Sequence, residues 1–225
     1  MRSTLDTLAF DAENVEIAGE HDQPIANSLI ARRELALSEV KVVLSHPQAN
    51  AQCAHFLRQN LPDAQVRAVA STADAVREVG ESDQPWAALG PASAASLYDC
   101  VVLREHVDDE SANVTRFVWL APAGVEPATA GGAWRTTLVF SELGEDHPGA
   151  LVDALTEFSS RGVNLTRIES RPRRRELGRY MFFLDIEGPA GDEAVGAAID
   201  GLRAKAESVR VLGSYPIAAR GIPGA

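Results

Sequence analysis

Residues 121–132 read APAGVEPATAGG: small side chains, two prolines and three glycines in twelve positions. The stretch has neither the period of a strand nor that of a helix, so it is expected to connect structured parts rather than belong to one. In a chain of 225 residues, long enough for one large domain or two small ones, it favours two. Charge changes at the same place: residues 1–130 carry 9 basic and 19 acidic side chains, residues 131–225 carry 12 and 13. The expected organisation is a first domain over 1–122, a linker over 123–133, a second domain over 134–217 and a tail over 218–225.

Before the linker, strand-like and helix-like segments alternate. Residues 40–44 (VKVVL) form a short apolar strand. Residues 47–60 follow as one helix, with Pro47 suited to its first turn. Strands are expected over 65–70, 86–89, 101–103 and 116–120. Helices are expected over 72–80, capped by Ser71, and over 91–98. This rhythm implies an α/β fold with an open, mostly parallel sheet, whose ligands bind where loops leave the carboxyl ends of strands.

After the linker the order becomes βαββαβ, a ferredoxin-like unit. Its strands are 134–141 (WRTTLVFS), 163–171, 179–187 (RYMFFLDIE) and 208–214. Its helices are 148–161, with Leu151, Ala154, Leu155 and Phe158 at spacings of three and four, and 192–206.

Composition excludes several classes of function. A formal charge of −11 disfavours nucleic acid and anionic membranes as partners. No apolar run approaches the ~20 residues of a membrane span, and the N-terminus lacks the apolar centre of a signal peptide, so a cytoplasmic protein is expected. Cys53 and Cys100 form no CxxC pair, and the histidines show no metal-ligand spacing. No nucleotide, dinucleotide or nucleophile-elbow motif occurs.

Three places carry candidate chemistry. Ser45-His46-Pro47-Gln48 lies at a strand-to-helix junction, either facing a ligand or simply capping the helix. Asn113-Val114-Thr115-Arg116-Phe117 sets a hydroxyl beside a guanidinium, a proton donor next to a carboxylate partner or an ordinary strand edge. Arg171-Pro172-Arg173-Arg174-Arg175 is a basic turn, and the turn at 146–151 holds Gly149, where backbone amides can approach a ligand. On residue chemistry alone the structural reading of each is preferred.

In combination these words resemble one family. SHPQANAQCAHFLRQNLP (45–62), STADAVREV (71–79), AALGPASAASLY (87–98) and NVTRF (113–117) look like the C-terminal lobe of prephenate dehydratase. VFSELGEDHPGALVDALTEFSSRGVNLTRIESRPRRRELGRYMFFLDIEG (139–188) and VRVLGSYP (209–216) look like that family's ACT regulatory domain. The resemblance implies part of a periplasmic-binding-protein-like catalytic domain followed by the ACT domain. It implies prephenate as substrate, phenylpyruvate as product and L-phenylalanine as feedback effector, with no cofactor and no metal. By the same resemblance Thr115 donates a proton to the departing hydroxyl, and Arg116, Phe117, Asn113, Ser45, His46 and Gln48 bind substrate. The effector words fall on Pro148, Gly149, Ala150 and Leu151, on Asn164 and Leu165, and on Glu169, Ser170, Arg171 and Pro172. Such sites lie between ACT domains of two subunits, which implies a homodimer or homotetramer.

The family's earlier GPxGT and PxENS words are absent, and Met1 stands where the family reads GSV-x-x-TLD-x-L. The expectation is a protein that extends upstream of Met1. Two alternatives stay open: a phenylalanine-binding homologue with impaired turnover, and arogenate as substrate.

Overall fold

The structure is a computed structural model, and it describes residues 4–110, 113–125, 127, 132–143, 148–172 and 180–217. In chain order the elements are α1 (Thr4–Phe10), β1 (Val15–Pro24), β2 (Ser28–Ala31), a 3-10 turn (Leu37–Glu39), β3 (Val42–Ser45), α2 (Pro47–Gln52), α3 (Ala54–Asn60), β4 (Gln65–Ala68), α4 (Thr72–Gly80), β5 (Trp86–Gly90), α5 (Ala92–Leu97), β6 (Val101–Arg104) and β7 (Val114–Pro122). They continue with β8 (Trp134–Ser141), α6 (Ala150–Ser159), β9 (Leu165–Pro172), β10 (Tyr180–Glu187), α7 (Glu193–Arg203) and β11 (Ser208–Pro216).

By packing, the chain divides into Gln23–Thr115 and a second unit of Met1–Asp22 with Arg116–Ala225. These cuts do not fall in the 123–133 stretch, because β1 and β7 pair with each other and both contribute residues to the C-terminal unit.

The Gln23–Thr115 unit is built on a five-stranded sheet of order β4-β3-β5-β2-β6. β3 pairs in parallel with β4 and β5, whereas β2 runs antiparallel to β5 and β6. Four strands therefore run one way and β2 the other, so the mostly parallel sheet expected is in fact mixed. β2 is the inserted strand that the alternation from residue 40 onward does not contain. Both faces are apolar. Leu29, Val43, Leu57, Leu89 and Leu103 pack on one side, and Ile30, Leu44, Val76, Val79 and Ala95 on the other.

One expected helix is two. α2 and α3 are separated at Cys53, whose φ of −114° and ψ of 17° leave the helical region. The break is stabilised from a distance: the Asp109 carboxylate accepts the backbone N–H groups of His55 and Phe56 in the first turn of α3, which a continuous helix would have occupied. The Ser71 cap is present, its hydroxyl accepting the N–H of Asp74 at 3.0 Å.

The C-terminal unit contains the four-stranded antiparallel sheet of order β11-β8-β10-β9, the arrangement that βαββαβ connectivity demands. α6 and α7 cover one face through Ala154, Phe158, Ala198, Ile199 and Leu202. The other face is covered from the chain's beginning: Leu8 of α1 and Ile17 of β1 pack against Val139, Met181, Phe183, Leu212 and Tyr215. β1 approaches β11 so closely that a Cβ at Gly213 would lie 2.2 Å from the Ile17 carbonyl oxygen, so only glycine fits there. No helix of the described residues is long and apolar enough to cross a membrane.

Candidate functional site

β3 and β5 are parallel neighbours, and the chain leaves them toward opposite faces of the sheet. After β3 it packs through Cys53 and Leu57 on one side. After β5 it packs through Ala94 and Ala95 on the other. Such a divergence opens a crevice at the carboxyl ends of the strands, and the SHPQ word sits there.

Its residues do different jobs. Ser45, expected to face a ligand, is fully buried, and its hydroxyl donates to the Leu89 carbonyl at 2.8 Å. This bond ties the ends of β3 and β5 together. His46 caps α2, its Nδ1 accepting the N–H of Gln48 at 3.2 Å. Gln48 lines a groove of about 570 Å³ together with Gln52, Asp108, Asp109, Asn113 and Val114. The structure thus brings Gln48 and Asn113, from two separate words, into one cavity. Asn113 is fixed there by its carbonyl, which accepts the N–H of Ile25 at 2.9 Å. Thr115 follows two residues later on β7 and is exposed.

The acids of the groove are engaged in structure. Asp108 accepts the backbone N–H and the side-chain amide of Asn27, both at 2.6 Å. Asp109 is held below the usual carboxylate range, first by the His55 N–H, with burial opposing and the Phe56 N–H assisting. Nearby, burial pushes the Cys53 thiol up to about 12, with the charges of Asp108 and Asp109 adding to it. A second hollow of about 410 Å³ at the same sheet edge is lined by Ser28, Pro91, Ala92 and His106. Sequence reasoning missed these four. Gly90-Pro91 at a strand end was the available signal, whereas nothing in the sequence marks His106, which adopts a φ of 51°.

Arg116 and Phe117 belong to the C-terminal unit. Phe117 was expected to pack a site and is 53% exposed. Arg116, expected to hold a substrate carboxylate, donates from Nη1 to Asp185 at 2.7 Å and lies 3.6 Å from Glu20. Burial works against its charge, but the hydrogen bond and charge of Asp185 outweigh that and raise its pKa above the ordinary value.

The effector words are split between the two faces of the ACT-like sheet. Gly149 takes a left-handed φ of 102° and caps α6, which begins at Ala150 and not at Pro148. Leu151 and Leu165 pack against the helix-covered core. Asn164 is exposed, and its carbonyl accepts the N–H of Glu187 at 3.0 Å. On β9, Glu169 pairs with Arg167 and Arg171. Arg171 also meets Asp6 at 3.0 Å and stands over the Phe183 ring on the opposite face. Burial tends to raise the Glu169 pKa, but Arg171 and Arg167 prevail and lower it. Ser170 and Pro172 are exposed. Arg173, Arg174, Arg175, Asp146 and His147 lie outside the described residues. Among the described residues no cluster of three or more His, Cys, Asp or Glu side chains is placed to hold a metal ion.

Comparison with known proteins gives this geometry a family. Residues 1–124 match the prephenate dehydratase family model, and residues 139–204 match the ACT domain. The bifunctional chorismate mutase/prephenate dehydratase of Aquifex aeolicus is 39% identical over 207 residues, covering 92% of this chain and 55% of that protein. Prephenate dehydratase of Mycobacterium marinum is 38% identical over 213 residues, covering 95% and 66%. The chain thus spans less than two thirds of the length of either relative. Among solved structures, prephenate dehydratase from Arthrobacter aurescens in complex with L-Phe is 40% identical, with a TM-score of 0.83 over 95% of this chain and 69% of that one. Since the catalytic-family match takes in more than half of the residues and the relatives extend through the ACT domain as well, this chain belongs to the prephenate dehydratase family.

Proposed function

We propose that the protein converts prephenate to phenylpyruvate, carbon dioxide and water, and that L-phenylalanine regulates it through the ACT domain. The observation that carries this reading is the shared groove of Gln48 and Asn113 at the carboxyl edge of the five-stranded sheet, with Thr115 two residues further along.

The chemistry asks for little covalent participation. The ring carboxylate leaves as carbon dioxide, and its bonding electrons enter the ring. The C4–O bond breaks, and the oxygen takes up a proton and departs as water. Aromatisation drives the step, so the protein's task is to orient the substrate and deliver that proton. In this reading Thr115 supplies the donor hydroxyl, while Gln48 and Asn113 orient the substrate by hydrogen bonds. The groove itself is rimmed by Asp108, Asp109 and Glu110, which repel a dianion. The family resemblance assigns the substrate's carboxylate to Arg116, the next residue after Thr115 in the sequence. Ser45 and His46 act by holding the loop that carries Gln48.

For the effector, the Gly149 turn offers backbone groups to a carboxylate and Glu169 offers a counter-charge to an ammonium group. Because they lie toward different faces of the sheet, one amino acid meets both only where two subunits supply them. The A. aurescens relative binds L-Phe, which supports the same ligand here. We place this protein in the cytoplasm as a homodimer or homotetramer joined through ACT domains.

The test is phenylpyruvate formation from prephenate by the purified chain, with and without L-Phe, beside Thr115→Ala. Turnover that L-Phe inhibits and that Thr115→Ala lowers by about a hundredfold or more is expected, the scale of a lost acid catalyst. Phenylalanine formed from arogenate in preference would change the substrate. L-Phe binding without turnover on either compound would reject the dehydratase and leave a phenylalanine-binding protein.

A further inference from the structure

The face of the regulatory sheet that α1 and β1 cover is not wholly apolar. Asp185 on β10 is 1% exposed. One of its carboxylate oxygens accepts from the Thr137 hydroxyl at 2.7 Å, and the other accepts from Arg116 Nη1 at 2.7 Å. Glu20, 4% exposed, stands 3.6 Å from that same nitrogen and also pairs with Arg135. Buried ion pairs contribute little net stability compared with apolar packing, because desolvating the charges costs several kcal/mol. What this cluster does provide is geometry.

Its hold on Arg116 is one-sided. Both carboxylates meet Nη1, and among the described residues Nε and Nη2 donate no hydrogen bond. The planar guanidinium is thus oriented by one corner. Its Nε–Nη2 edge, the pair of donors that matches a carboxylate bidentately, is left available.

Asp185 is also shared with the neighbouring strand. Arg167 on β9 is its register partner and places Nη1 3.7 Å from Asp185 Oδ2. Through Nη2 the same Arg167 pairs with Glu169. A series of alternating charges, Glu169, Arg167, Asp185 and Arg116, therefore crosses β9 and β10 to β7 and ends one residue from Thr115.

We propose that Asp185 is a positioning residue for Arg116, and that Arg167 is the contact through which an α-amino acid engaging Glu169 alters that positioning. The proposal rests on the roles assigned above to Arg116 and Glu169. An ammonium group on Glu169 draws that carboxylate away from Arg167. Arg167 closes on Asp185, whose Oδ2 must then serve two guanidinium groups. The hold on Arg116 loosens, and its free edge no longer meets a substrate carboxylate in a fixed orientation. The effector accordingly raises KM more than it lowers kcat. By linkage, substrate weakens effector binding by the same factor by which effector weakens substrate binding at equilibrium.

The experiment uses the full chain, Asp185→Asn, Asp185→Glu and Arg167→Gln. Three quantities are measured: KM and kcat for prephenate with and without L-Phe, L-Phe binding by calorimetry, and the Arg116 Nε–H resonance by NMR. Asp185→Asn is expected to raise KM about tenfold, the scale of a lost charge-assisted hydrogen bond, to leave kcat within about twofold, and to shift and broaden the Arg116 signal. Asp185→Glu restores part of both. Arg167→Gln keeps the KM measured without L-Phe and still binds L-Phe, but L-Phe no longer raises KM or moves the Arg116 signal. If Asp185→Asn does not fold, Thr137→Val, which removes the hydroxyl shared by Asp185 and Tyr215 and leaves the Asp185 charge in place, is expected to act in the same direction and more weakly. An unchanged KM and an unchanged Arg116 signal in the Asp185 variant, or in Thr137→Val where that stands in, overturn the positioning role. An Arg116 signal that L-Phe still shifts in Arg167→Gln overturns the relay. Absence of turnover in the unaltered chain counts against the dehydratase reading alone, since the Arg116 resonance decides the relay without it.

Discussion

The two units treat buried polarity in opposite ways. Among the described residues of Gln23–Thr115 the buried polar side chains are Asn27, Ser28 and Ser45, all neutral and all at or next to strand ends. Between them the sheet is apolar on both faces. In the C-terminal unit the buried polar residues include Glu20, Asp185, Thr136 and Thr137, and Asp185 and Thr137 lie side by side in the middle of paired strands. The first unit is a scaffold with its candidate site residues on the rim, where they line an open groove. The second carries charge inside its layers, where each partner is fixed by packing and a change at one is felt by the next.

The sharpest way to break this contrast is Glu20→Ala. Glu20 lies between Arg116 and Arg135, so its removal leaves Arg135 without its carboxylate. The expected cost is about 3–5 kcal/mol, the usual result of removing one partner of a buried pair. It should be confined to the C-terminal unit. Because two units need not unfold together, the measurement is hydrogen exchange in urea, comparing amides of β8 with those of β3. A loss below about 1 kcal/mol would mean that the cluster behaves as surface charge does, and the contrast would dissolve.

The corresponding change in the other unit is Ser45→Ala. It removes a neutral hydroxyl from the Leu89 carbonyl and is expected to cost about 1–2 kcal/mol, seen in β3 and β5 only. KM for prephenate should rise only a few-fold, through the loop that carries Gln48, and in step with the lost stability, since a fully buried hydroxyl spent on the backbone makes no ligand contact. A larger rise in KM with unchanged stability would return Ser45 to the substrate-binding set.

How much of this was legible in the sequence follows the same division. The βαββαβ order was readable because each element of the second half carries a clear apolar period and acceptable ends. The elements before residue 40 were not. β1 mixes its apolar residues with Glu16, Glu20, His21 and Asp22, and β2 is a four-residue apolar run (SLIA), too short for periodicity to assign. The split at Cys53 has no glycine or proline to announce it, because its cause, Asp109, is more than fifty positions away. The candidate site shows the same limit. Short words named Gln48, Asn113 and Thr115 as candidates, but they could not show that Gln48 and Asn113 line one groove, that Ser45 turns inward or that Arg116 is held by a residue 69 positions distant. One sign was present: an aspartate inside the apolar run YMFFLDIE has to find a cationic or hydroxyl partner once the strand is buried.

The smallest expected effect concerns the cap that Asp109 makes on α3, and it tests whether rim charges in the first unit are structural. Hydrogen bonds from His55 and Phe56 depress the folded-state pKa of Asp109 below its ordinary value. A depressed carboxylate contributes stability that is complete above the unfolded-state pKa, near 4, and is lost as pH falls through the lower folded-state value. Asp109→Ala should therefore cost about 1 kcal/mol at neutral pH, the scale of a lost helix cap, and the difference from the unaltered protein should shrink as pH drops below about 4. Asp109→Asn keeps an acceptor without a titrating charge. It should cost only a few tenths of a kcal/mol at pH 7 and flatten the acid limb of the β3 stability profile. If Asp109→Asn instead retains the full acid dependence of the unaltered protein, another carboxylate of the unit carries it. If Asp109→Ala costs nothing, the break at Cys53 is set by the local chain and Asp109 is available to a ligand, which would make the rim of this unit charged in function as well as in composition.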